Sequence, residues 1–102
     1  ESRKFKVLQV CKNGKELLDW VRNNPRSADV VIMDIIMPVV DGYAAFYELK
    51  QMAPEIKVIF VSVENSAPLI KTVLGMGALD FITRPVKRDV LAERVIKALE
   101  RT

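Results

Sequence analysis

Two kinds of segment alternate along this chain, and the alternation limits the fold more than anything else in the sequence. Val7–Cys11, Val30–Met33, Val58–Val61 and Phe81–Thr83 are short, apolar and rich in β-branched or aromatic residues. Runs of that kind read as strands buried on both faces of a parallel sheet. Between them lie stretches with helical spacing. Asn13 is an N-cap with Glu16 three residues on, and Leu17, Leu18 and Val21 form an apolar stripe behind it. Gly42 to Gln51 turns Ala45, Phe46 and Leu49 inward. Ser66 to Leu74 turns Ile70, Val73 and Leu74 inward, and Gly75 and Gly77 stop it. Lys87 to Arg101 is the longest, with Leu91, Val95 and Leu99 at intervals of four. The order β-α-β-α-β-α-β-α predicts an α/β fold, a doubly wound parallel sheet with helices on both faces.

Composition excludes several function classes. A chain of 102 residues, half of them hydrophobic, can build one core and is too short for two domains. No apolar run approaches the ~20 residues of a membrane helix, and Glu-Ser-Arg-Lys at the start lacks the apolar stretch of a signal peptide. The net charge of +3 comes from Lys and Arg scattered along the chain, which reads as a solvated basic surface, not a nucleic-acid patch. The single cysteine, Cys11, rules out an internal disulfide and is expected to be a buried packing residue; a reducing cytoplasm fits. With no histidine, the chain has no imidazole base and no phosphohistidine of its own.

Ligands of such sheets bind at the carboxyl ends of the strands. Three polar residues stand directly after three successive apolar runs: Asp34, Ser62 and Arg84. A carboxylate, a hydroxyl and a guanidinium would meet on one rim. That set suits phosphoryl transfer to a carboxylate, in which catalysis is mostly positioning and charge neutralisation. The plainer reading of the same spacing makes Asp34 an exposed strand terminator and Arg84 its ion pair.

Asp34-Ile35-Ile36-Met37-Pro38-Val39-Val40-Asp41-Gly42 resembles the signature of response-regulator receiver domains of the chemotaxis type. Ala28 to Met33 resembles that family's third strand, Asn13 to Leu18 its second helix, and Gly77 to Pro85 its fifth strand and following loop. The resemblance implies a flavodoxin-like fold and cytoplasmic two-component signalling by a phosphoacceptor that is not an enzyme beyond its own phosphorylation and dephosphorylation. It casts Asp34 as the phosphoacceptor, Ser62 as the hydroxyl that reorients to the phosphoryl group, Arg84 in place of the family's lysine and Phe81 as the aromatic switch. It gives Mg²⁺ as cofactor, held by Asp34 and the backbone carbonyl of Ile36, and a cis bond between Arg84 and Pro85. The implied partners are a histidine kinase or phosphotransfer protein, and an effector domain or protein reached through the last strand and last two helices. A homodimer is compatible with it.

Departures from the family pattern carry expectations of their own. The resemblance places the family's first strand and most of its first helix, with an acidic pair, ahead of Glu1, so residues 1–102 read as a receiver truncated at its N-terminus. No two acidic residues are adjacent in the sequence, so the Mg²⁺ site is expected to be incomplete. Arg84 keeps the lysine's charge but is longer and planar. Val63, where the family has a small residue, is expected either to narrow access to Asp34 or simply to pack. These departures motivate an alternative: a degenerate receiver acting as a phosphorylation-independent binding module.

Overall fold

The computed structural model describes residues 5–35 and 42–100. Its elements run α1 (Gly14–Asn23), β1 (Val30–Asp34), α2 (Gly42–Met52), β2 (Lys57–Ser62), α3 (Ala67–Gly75), β3 (Asp80–Thr83) and α4 (Arg88–Glu100). The strands form one parallel sheet in the order β1-β2-β3, with Val30 opposite Lys57, Asp34 opposite Val61, Ile59 opposite Asp80 and Ser62 opposite Thr83.

Local chemistry explains most element ends. Asn13 accepts the Glu16 N–H at 2.8 Å while the Glu16 carboxylate accepts the Lys12 N–H at 3.0 Å, so α1 opens on a reciprocal capping pair. Ser66 caps α3 by accepting the Leu69 N–H, with Pro68 in the first turn, where its missing N–H costs nothing. Past the end of α3, Gly77 takes φ +111°, a conformation other residues adopt only with strain.

Helices cover both faces of the sheet. On one side Leu18 and Val21 of α1, Ala45, Phe46 and Leu49 of α2, and Val73 of α3 pack with Val31, Met33, Val58 and Phe60. The Phe46 and Phe60 rings meet edge to face with centroids 5.1 Å apart. On the other side a smaller cluster joins Ile59, Val61 and Ile82 to Val95 and Ala98 of α4, with Leu91 and Leu99 partly buried against it. β2 is buried on both faces, as its unbroken apolar run requires.

Three expectations are corrected. Val7–Cys11 is not a strand: the segment lies outside the sheet, and Val7, Leu8 and Val10 are exposed. A strand exists only where a neighbour takes up its hydrogen bonds, and here a groove separates the segment from β1. For the same reason Cys11 is only half-buried; partial burial and the nearby Glu16 carboxylate both push its thiol pKa upward. Leu74 is exposed, because it lies at the end of α3, whose contact with the core runs through the buried Val73 and the partly buried Leu69. Among the described residues, no helix is long and apolar enough to cross a membrane.

One ion pair ties the smaller layer together. The Asp80 carboxylate, at the start of β3, accepts from Arg94 Nη1 of α4 with both oxygens at 2.7 Å, and from the Phe81 N–H at 2.8 Å. Both side chains keep about a third of their surface in water, so the pair is worth about 0.5–1 kcal/mol. A double-mutant cycle on Asp80→Asn and Arg94→Gln, read by urea unfolding, is expected to return a coupling of that size; a value of zero would make the pair incidental.

Candidate functional site at the carboxyl ends of the strands

The parallel sheet brings Asp34, Ser62 and Arg84 to one rim. Asp34 is the last residue of β1, and its partner in register, Val61, precedes Ser62, the last residue of β2. Ser62 in turn lies opposite Thr83, and Arg84 follows. Neighbouring strands lie about 4.8 Å apart, so three adjacent chain ends present three side chains to a shared space.

The contacts are specific. Arg84 Nη2 lies 3.2 Å from Asp34 Oδ2, with the two side chains 48% and 31% exposed, so the pair stays open to solvent on one side. The Arg84 N–H donates to the Ser62 carbonyl at 2.9 Å, which fixes where the guanidinium stem leaves the sheet. The Arg84–Pro85 peptide bond is cis. Ser62 is fully buried, and its Oγ accepts the Glu64 N–H at 3.1 Å, leaving the hydroxyl proton available to a further acceptor. Val63 is 66% exposed, so it does not pack in the core. Phe81 is half-buried against the larger core.

Sequence reasoning placed Gly42 only at the start of a helical stretch and missed its closer role. A Cβ built there would lie 2.5 Å from the Asp34 carbonyl oxygen and 2.5 Å from the Ile35 Cα. Its N–H donates to the Ile35 carbonyl at 2.7 Å. The start of α2 therefore presses on the backbone that carries Asp34, and only glycine fits. The Glu64 N–H and the Asp80–Arg94 pair left no local sequence signal.

A metal would need more donors than the described residues bring together. No group of three or more His, Cys, Asp or Glu side chains stands in metal-binding range among them, and Asp34 already faces the Arg84 cation. A near-octahedral oxygen shell for Mg²⁺ does not fit this set. Ile36, to which a carbonyl ligand role was assigned, lies outside the described residues, as do Met37, Pro38 and Asp41.

A parallel sheet with helices on both faces, its strand ends carrying a carboxylate, a hydroxyl and a cation, has the architecture of a flavodoxin-like α/β domain. The chain belongs to the response regulator receiver domain family, whose pattern it matches over residues 1–96. It is 32% identical to the chemotaxis protein CheY of Bacillus subtilis over 95 residues, 93% of this chain and 78% of that protein. To the transcriptional regulatory protein CitT of Halalkalibacterium halodurans it is 23% identical, over 89% of this chain; there it spans only 40% of the relative's length. Among solved structures, a chain in the CheX-CheY-BeF3-Mg complex from Borrelia burgdorferi superposes with a TM-score of 0.88 at 27% identity, over 95% of this chain and 72% of that one. A receiver domain from Clostridium thermocellum gives 0.84 at 26% identity, over 91% and 74%. Receiver domains are signalling domains, and the family generally binds Mg²⁺.

Proposed function

We propose that this domain accepts a phosphoryl group on Asp34 from the phosphohistidine of a cytoplasmic histidine kinase or phosphotransfer protein. The observation that carries the reading is the 3.2 Å approach of Arg84 to Asp34 on the rim where the buried Ser62 ends its strand. An Asp34 oxygen attacks phosphorus, the bond to the histidine nitrogen breaks, and that nitrogen keeps the electron pair. Arg84 neutralises charge on the equatorial oxygens. The product adds about −1.5 to −2 charges at pH 7. Arg84 then binds phosphate in place of bare carboxylate, and the Ser62 hydroxyl turns from its local turn toward the new oxygens. Phe81 follows Ser62 inward, and β3 with α3 and α4 presents the altered surface to an effector.

Incubation of the full-length protein with acetyl phosphate and Mg²⁺ is expected to add the mass of one phosphoryl group, and Asp34→Asn to remove it completely. An unchanged mass with Asp34 intact, or a label that survives Asp34→Asn, would reject the assignment. A second reading, a binding module indifferent to phosphorylation, draws on one fact: the Arg84 guanidinium already pairs with Asp34 at 3.2 Å. It requires that partner affinity after acetyl phosphate treatment be the same for the parent chain and for the Asp34→Asn variant; a difference of about tenfold would exclude it.

A further inference from the structure

Four side chains mark the corners of one cell at the rim end of the sheet. Phe60 and Phe81 are partners in register on β2 and β3, and so are Ser62 and Thr83. Phe60 and Phe81 belong with the larger cluster, whereas Ile59, Val61 and Ile82 belong with the smaller one. Side chains alternate along a strand, so Ser62 and Thr83 stand on the same face as the two rings, one step nearer the rim. Such a cell measures about 4.8 Å between strands and about 6.6 Å along them.

The backbone of the cell is held at both ends. The Arg84 N–H donates to the Ser62 carbonyl at 2.9 Å, and the Phe81 N–H donates to the Asp80 carboxylate at 2.8 Å. A rearrangement inside the cell therefore falls to its side chains. Phe60 does not supply it, because it has no solvent exposure and its ring meets Phe46 edge to face. Ser62 is fully buried, and its Oγ accepts the Glu64 N–H. Phe81 is half-buried and Thr83 is exposed. By register, Phe81 lies diagonally across the cell from Ser62. A ring that turns toward the space Ser62 leaves has to pass between Phe60 and Thr83. The core fixes one of these walls. The other is a β-branched side chain with a stiff χ1.

We propose that Thr83 is a positioning residue: its shape sets how readily Phe81 turns inward, and so how far the domain stands switched before Asp34 is phosphorylated. The inference rests on the phosphoryl-transfer reading above. The two branches of Thr83 form the outer wall of the passage. Removing both widens it and admits the ring while Ser62 still holds the Glu64 N–H. A longer branch narrows it. The position is exposed and lies outside the buried core, so these exchanges leave the fold intact.

The test is the fluorine NMR signal of Phe81 in full-length protein labelled with fluorophenylalanine, assigned by its loss in Phe81→Leu. In the parent the signal is expected to move when beryllium fluoride with Mg²⁺ mimics the phosphoryl group. Thr83→Ala is expected to carry it part of the way without them, through an increase of about tenfold in the inward population. Thr83→Val keeps the branched shape without the hydroxyl and is expected to match the parent, and Thr83→Ile to blunt the response. A Thr83→Ala signal that coincides with the untreated parent, or a Thr83→Val signal that follows Thr83→Ala, would overturn the proposal and leave Asp34 as phosphoacceptor untouched. A parent signal that ignores beryllium fluoride, while acetyl phosphate still adds mass through Asp34, takes Phe81 out of the switch and overturns the proposal alone. Absence of that mass would overturn the underlying reading, and this inference with it.

Discussion

Replacing Phe46 with alanine is expected to destabilise the domain by about 3–5 kcal/mol. Phe46 has no solvent exposure, and it sits where α2 meets the sheet, with its ring edge to face on Phe60 of β2 and the Lys50 ammonium 5.9 Å from its centroid. Deleting the ring removes the transfer free energy of a whole aromatic side chain and leaves a hole beside Phe60, in a cluster whose members are anchored on helix and sheet. A small domain has about 5–15 kcal/mol in all, so the change removes a large share of the stability. Urea unfolding monitored by Trp20 fluorescence would read it. A loss under about 1 kcal/mol would mean that the larger core is not where the stability resides.

Gly42→Ala is the second large effect, and it acts on the site itself. The new methyl would have to occupy space 2.5 Å from the Asp34 carbonyl oxygen, 2.5 Å from the Ile35 Cα and 2.6 Å from the Ile35 carbonyl oxygen. All three are backbone atoms, so no rotamer change relieves the clash; either α2 or the end of β1 must move. The expected cost is about 3 kcal/mol, the upper part of the range for overpacking. Because the displaced atoms carry Asp34, phosphoryl uptake from acetyl phosphate should fall by more than the unfolded fraction explains. Measuring both on one sample separates the two effects. A variant of unchanged stability would show that the close approach relaxes freely, and uptake that tracks only the folded fraction would show that Asp34 had not moved.

The parts of the fold legible in the sequence were those whose cause is local. Val58–Val61 announced a strand because both faces of β2 are buried and every position is therefore apolar. Asn13 and Glu16 marked the start of α1 because a cap is written in four residues. Asp34, Ser62 and Arg84 could be singled out because a polar residue after a buried strand has only the rim to occupy. What stayed illegible depends on partners distant in sequence. Val7–Cys11 has the composition of a strand, but strand formation belongs to a pair, and nothing in those five residues says whether a neighbour stands beside them. Arg94 and Asp80 lie 14 residues apart, with no spacing rule to join them. The clash that requires glycine at position 42 is set by the backbone of Asp34 and Ile35, which no local spacing rule joins to it.

The unequal sizes of the two cores bear on how a signal would leave this domain. α1, α2 and α3 share the larger apolar cluster with the sheet, but α4 rests on a handful of aliphatic contacts around Val95 and Ala98 and on one half-exposed ion pair. A lever is useful only if the fulcrum outlasts the arm. Under the proposed function, a perturbation at the neighbouring strand would meet less packing resistance in the last helix than in the scaffold that holds the rim carboxylate.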